Sequence, residues 1–128
     1  MINNVKVLVL VADDNDGIRN TTAAILRGVG CTVTEAQDGE AALVALSHET
    51  FDVALLDVRM PKVDGISVVT DLSPEPPPPI IVMVSAYDFG PDLRQHLGSR
   101  VFKYLKKPVP PQELIDVVLS AFEGLARS

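Results

Sequence analysis

Residues 51–65 read "FDVALLDVRMPKVDG". The opening run is apolar enough to form a core β-strand, yet it ends in an unshielded carboxylate, Asp57. The chain then turns sharply through Met60-Pro61 to a second acid, Asp64. A strand whose apolar residues are consecutive has no solvent face, which points to a parallel sheet covered on both sides. Runs rich in Val, Ile and Leu recur at "VKVLVLVA" (5–12), "CTVTEA" (31–36), "PIIVMVSA" (79–86) and "VFKYL" (101–105). Between the runs the spacing is helical. In the first such segment Ile18, Thr22, Ile25, Leu26 and Val29 share a face; the next three are "DGEAALVALSHE" (38–49), "GISVVTDL" (65–72) and "PDLRQHL" (91–97). A last helix opens at "PVPPQEL", where proline suits the first turn, and runs to about Gly124. Its apolar stripe is Leu114, Val117, Val118, Ala121, Phe122 and Leu125.

This alternation predicts an α/β fold of the (βα)5 kind. The expected architecture is a doubly wound, five-stranded parallel sheet in the order 2-1-3-4-5, flavodoxin-like, with helices on both faces. In that order the connections leave strands 1 and 3 in opposite directions, so a crevice opens above their carboxyl ends, and ligands bind there. Strand 1 ends in Asp13 and Asp14, strand 3 in Asp57, strand 4 in Ser85, and strand 5 in Lys106 and Lys107. Carboxylates this close raise one another's pKa unless a cation neutralises them. A hard oxygen cluster on a rigid framework suits Mg²⁺, for which Mn²⁺ can substitute. A carboxylate in such a place can also attack phosphorus to give an acyl phosphate.

With these residues in this order on these strand ends, the chain resembles the receiver domain of two-component response regulators, the stand-alone chemotaxis type included. The resemblance runs from about Val5 to Leu125 and rests on Asp13-Asp14, Asp57 in "LLDVRMPKVDG", Ser85 in "VMVSA" and Lys107 in "KKP". It implies that Asp57 accepts a phosphoryl group from a sensor histidine kinase or a phosphotransfer protein. It implies that Asp14, Asp57 and the Arg59 main-chain carbonyl ligate Mg²⁺, with Asp13 acting mostly through a bound water. Ser85 would hydrogen-bond one phosphoryl oxygen and Lys107 would pair with another. A cis Lys107-Pro108 bond is expected of the family and is not visible in a sequence. The protein would catalyse only its own phosphorylation and dephosphorylation, so it is not expected to be an enzyme in the usual sense.

The resemblance also implies a switch. Ser85 would move toward the phosphoryl group, Ala86 is small enough to leave that group room, and Tyr104 would turn inward. The face made by helix 4, strand 5 and helix 5 would change, and a homodimer or a partner would use it. The competing reading holds Tyr104 in one rotamer against Phe102. Arg59 and Tyr87 either crowd the path of the hydrolytic water or point into solvent. The chain departs from the common pattern before Lys107, where "LGSRVFKYLKKP" puts Arg100 and Lys103 in place of a small and acidic run.

Smaller features read more plainly. Asp64 is expected to cap the third helix, His48 and His96 to lie on the surface, and Cys31 to be a buried small hydrophobe. "PEPPPP" (74–79) reads as a stiff loop, with a polyproline ligand as the alternative.

Length and composition agree with one domain spanning 1–128. There are 128 residues, 47% hydrophobic and 22% charged, with a single cysteine and a net charge of −6. One cysteine rules out an internal disulfide and suits a reducing cytosol. The acidic balance argues against nucleic-acid binding by this domain, and no apolar run approaches the roughly 20 residues a bilayer crossing needs. The start lacks the features of a signal peptide, so a cytoplasmic location is expected. No output-domain sequence is recognised, leaving open a stand-alone regulator or the receiver of a longer one. Two rivals fit worse. A haloacid-dehalogenase-type phosphatase needs a second Asp where Arg59 stands, and a flavodoxin-like carrier needs a phosphate loop where "ADDNDG" offers carboxylates.

Overall fold

A computed structural model of the chain describes residues 6–74 and 77–126, with the side chains of 124–126 left aside. Strands β1 (Leu8–Ala12), β2 (Thr32–Ala36), β3 (Val53–Asp57), β4 (Ile80–Ser85) and β5 (Val101–Lys106) alternate with helices α1 (Asp16–Gly28), α2 (Gly39–His48), α3 (Gly65–Thr70), α4 (Pro91–Leu97) and α5 (Pro111–Ala126). A 3₁₀ turn, Gly98–Arg100, joins α4 to β5. The sheet is parallel and ordered β2-β1-β3-β4-β5, as expected. Val5, Glu75, Pro76 and the Leu125 side chain, to which the sequence reading had assigned roles, lie outside the described residues.

Strand residues alternate between two apolar layers. Val9, Val11, Leu55, Val82 and Leu105 face α1 and α5, meeting Leu26, Leu114, Val117 and Val118. Leu10, Ala54, Leu56, Ile81 and Met83 face the other way, onto Ala42 and Leu46 of α2, Val68 of α3 and Leu97 of α4. The middle strand β3 is buried along its whole length, as a strand with helices on both faces must be. Cys31 is buried, and burial pushes its thiol up. Both histidines are exposed. Asn15, Asp38 and Asp64 cap α1, α2 and α3, accepting from the N–H groups of Ile18, Ala41 and Ser67.

Two apolar residues do not lie where periodicity or contact was expected. Ile18 is 42% exposed, and Ala23 with Leu26 forms the buried face of α1 instead. The first turn of α1 overhangs the carboxyl edge of the sheet, where Ile18 borders open space with Thr22, Ile25 and Val109. Phe102, 48% exposed, is the extra residue of an irregularity in β5: Ile81 pairs with Val101, but Val82 pairs with Lys103. The bulge turns Phe102 outward.

Truncating the two α1 residues tests this packing. Leu26→Ala should cost about 3 kcal/mol in urea denaturation, and Ile18→Ala less than about 1 kcal/mol. Equal losses would contradict the assigned face.

Candidate functional site

The carboxyl edge of the sheet collects the charged residues because the backbone ladder continues past the strand ends. The Asp13 N–H donates to the Ala36 carbonyl at 3.1 Å, Val58 to Val84 at 2.9 Å, and Lys107 to Ser85 at 2.7 Å. Asp13 and Asp57 are therefore held at 6% and 7% exposure, while Asp14 stays exposed. The Lys107 ammonium lies between the buried pair, 2.7 Å from Asp13 Oδ2 and 2.8 Å from Asp57 Oδ2. Asp57 Oδ1 accepts from the Arg59 N–H at 3.1 Å, and Asp13 Oδ1 from the Asn15 N–H at 2.9 Å. Ser85 is buried, with Oγ accepting from the Tyr87 N–H at 3.0 Å. The Lys107-Pro108 bond is cis.

One ammonium does not fully compensate two buried carboxylates. Burial pushes the Asp57 carboxyl up, and Asp13 adds to this; the hydrogen bonds from Lys107 and the Arg59 N–H oppose it without cancelling it. Burial alone would lower Lys107, but hydrogen bonds to Asp13 and Asp57 outweigh it and hold the ammonium above the usual lysine value.

Ligand oxygens of Asp13, Asp14 and Asp57 lie within 4.8 Å of one another. Asp14 makes no hydrogen bond or ion pair among the described residues. An all-oxygen donor set with surplus negative charge, rigid on two sides and open on the third, fits a hard divalent cation that keeps part of its water shell.

The turn after β3 is compact. A Cβ on Gly65 would overlap the Asp57 carbonyl, so glycine is required where the chain re-enters a helix. Asp64 serves as the α3 cap, as expected. Arg59 and Tyr87, on neighbouring loops, are both exposed to solvent and stack on each other, with the guanidinium carbon 4.2 Å from the ring centroid. The ring that Tyr104 meets is Phe89 rather than Phe102, which is 48% exposed. Tyr104 meets Phe89 edge to face at 4.8 Å and lies under the Arg94 guanidinium at 4.5 Å. Its hydroxyl is buried with no partner among the described residues.

Two further groups escape the sequence reading: Asp38 is buried beneath the turn, and Arg94 sits between two rings. Lys106, named with Lys107 at the end of strand 5, pairs with Asp88 at 2.6 Å. The Asp-Gly pair opening α2 was the available sign for Asp38. An apolar groove of about 820 Å³ leads from Asp57 and Lys107 between α1 and the start of α5, past Ile18, Ile25 and Val109. Among the described residues, no helix is long and apolar enough to cross a membrane.

Comparison with known proteins places these features in a family. The profile of the response regulator receiver domain matches residues 9–119. The chain is 37% identical over 105 residues to a gliding motility regulatory protein of Myxococcus xanthus, covering 80% of this chain and 13% of that protein. It is 33% identical over 112 residues to the DNA-binding transcriptional regulator NtrC of Salmonella typhimurium, covering 87% and 24%. It thus spans under a third of either relative. Among solved structures, the receiver domain of the Francisella response regulator 1452 superposes with a TM-score of 0.83 at 31% identity, covering 92% of this chain and 98% of that one. These comparisons do not support the flavodoxin-like or phosphatase alternatives.

The raised Asp57 carboxyl has a stability consequence of definite sign. A carboxyl whose folded pKa exceeds its unfolded value contributes stability that is present below the unfolded pKa and lost as pH rises through the folded one. In the metal-free protein, the stability of Asp57→Asn relative to wild type should therefore rise as pH rises from 4 to 7 in urea denaturation. A difference independent of pH would contradict the assignment.

Proposed function

The chain belongs to the response regulator receiver family, and from that premise we propose that Asp57 is its phosphoacceptor in a two-component signalling system. The observation that carries the proposal is the Lys107 ammonium shared by Asp13 and Asp57 within the acidic cluster. The donor is a phosphohistidine on a sensor kinase or phosphotransfer protein, whose apolar side chains the groove beside α1 can receive. An Asp57 oxygen attacks phosphorus, an O–P bond forms, and the bond to the donor nitrogen breaks, its electron pair leaving with the imidazole. Lys107 is a compact charge able to follow a phosphoryl oxygen. Ser85 is the hydroxyl donor nearest the end of β4. Asp14, Asp57 and the Arg59 carbonyl are the residues to hold Mg²⁺ or Mn²⁺, Asp13 acting through water. The bound cation supplies screening of nucleophile from phosphoryl group and stabilisation of the spread charge of a loose transition state. The protein in this reading works in the cytoplasm and acts on no substrate other than its own Asp57.

Readout would run through Ser85 and Tyr104. A phosphoryl group adds roughly −1.5 to −2 charges beside Ser85. Drawing the hydroxyl toward it takes the acceptor away from the Tyr87 N–H. The buried, unpartnered Tyr104 hydroxyl costs about 1–3 kcal/mol, so a second rotamer lies within reach. The α4–β5–α5 face, bearing Arg100, Phe102 and Lys103, is the surface such a change would present to a partner or a second copy.

Two measurements test the reading. Mass spectrometry after incubation with acetyl phosphate should show one added phosphoryl group in wild type with Mg²⁺, and none without it or in Asp57→Asn. Metal-independent labelling of the variant would refute the assignment. If the Arg59–Tyr87 stack obstructs hydrolytic water, Arg59→Asn with Tyr87→Ala should lose the label several-fold faster than wild type; equal decay would exclude that role.

A further inference from the structure

The turn that carries the Arg59 carbonyl is braced from outside the acidic cluster. Residues 58–64 leave β3 and return to α3 along a tight path, with the Gly65 N–H donating to the Val58 carbonyl at 2.9 Å. Within it, the Val63 N–H donates to the Pro61 carbonyl at 2.8 Å, closing a three-residue turn around Lys62, whose φ is 69°. A turn of that kind with a positive central φ is rare and strained, more so for a residue other than glycine. Such backbone persists only where its surroundings over-determine it.

The surroundings here are the first turn of α2. Gly39 lies so close to the loop that a Cβ would overlap the Val63 carbonyl and stand 2.8 Å from the Val63 Cβ. Beside it, Asp38 is 7% exposed. One of its oxygens caps α2 by accepting from the Ala41 N–H at 2.8 Å; the other is 3.6 Å from the Lys62 ammonium. The same loop is therefore held at Val58 by α3, at Val63 by the bare backbone of Gly39, and at Lys62 by Asp38.

We propose that Gly39 and Asp38 are positioning residues for the divalent-cation site, holding the 58–64 turn so that the Arg59 carbonyl can join Asp14 and Asp57 around one cation. This rests on the metal-dependent reading of the acidic cluster. Neither residue touches the cation. Gly39 acts by having no side chain, which lets the turn lie against α2. Asp38 ties the helix start to the strained residue. The Lys62 side chain is 56% exposed, so its ion pair contributes little and the backbone contact carries most of the effect.

The test uses Mn²⁺ alone, with no phosphodonor, its affinity read from the electron paramagnetic resonance of the free ion. Gly39→Ala should bind Mn²⁺ roughly tenfold more weakly than wild type. Asp38→Asn, which keeps a cap acceptor but loses the charge, should weaken it about twofold, and Asp38→Ala more. Gly28→Ala, where nothing lies within 4 Å of the added carbon, should match wild type. Val117→Ala, a core truncation under α5, should lower stability without changing the constant, separating positioning from general loosening. An unchanged constant in folded Gly39→Ala overturns the proposal while leaving the metal site intact. Should Gly39→Ala fail to fold, unchanged constants in both Asp38 variants overturn it instead. A wild-type protein that binds no Mn²⁺ defeats the reading of the cluster itself, and this inference with it.

Discussion

The Lys107 ammonium, bonded at once to Asp13 and Asp57, is the interaction on which the carboxyl edge depends. Without a cation between them, two carboxylates this deeply buried would repel each other and the edge would open to water. Three separate stretches of chain must meet for the contact to exist: the end of β1, the end of β3 and the loop after β5. The parallel sheet brings them together because β1 and β3 are neighbours at its centre. β4 then carries Ser85 alongside, and its carbonyl receives the Lys107 N–H. The fold supplies geometry, and the residual charge imbalance supplies the chemistry. An edge with more negative charge than its one ammonium can neutralise could hold a divalent cation.

Much of this was legible because it rests on local pattern. Consecutive apolar residues in "FDVALLD" identify a strand buried on both faces, and β3 is buried throughout. Alternating strands and helices lead to the observed order, and the order selects which strand ends face the crevice. Asp64 followed by Gly65 reads as a helix cap, and it caps α3. Other features depend on three-dimensional neighbours that no local pattern encodes. Helical spacing puts Ile18 on the apolar face of α1, but that turn extends beyond the sheet and meets no core. The irregularity in β5 leaves Phe102 exposed, while Tyr104 meets Phe89 and Arg94. Asp38 and Gly39 read as an ordinary helix start, because their contact with residues 62 and 63 forms only when α2 packs beside the turn.

The same edge joins the Asp57 carboxylate and the Ser85 hydroxyl to outlying groups through very few bonds. Asp57 Oδ1 holds the Arg59 N–H, and Ser85 Oγ holds the Tyr87 N–H. Arg59 and Tyr87 then stack on each other, closing a circuit between two loops. In the apolar layer that holds Met83 of β4, Tyr104 keeps a buried hydroxyl beneath Arg94 with no partner among the described residues. In the proposed reading, redistributing charge at Asp57 and Ser85 would act directly on these two loop anchors.

The chemistry of this edge turns on the ionisation of Asp57. The decisive measurement is a ¹³C NMR titration of the Asp57 side-chain carboxyl, first metal-free and then in saturating Mg²⁺. The buried, cation-poor edge described above predicts a midpoint clearly above the ordinary carboxylate value of about 3.9 without metal, moving well down when Mg²⁺ is added. A carboxyl that titrates at the ordinary value and ignores Mg²⁺ would contradict it.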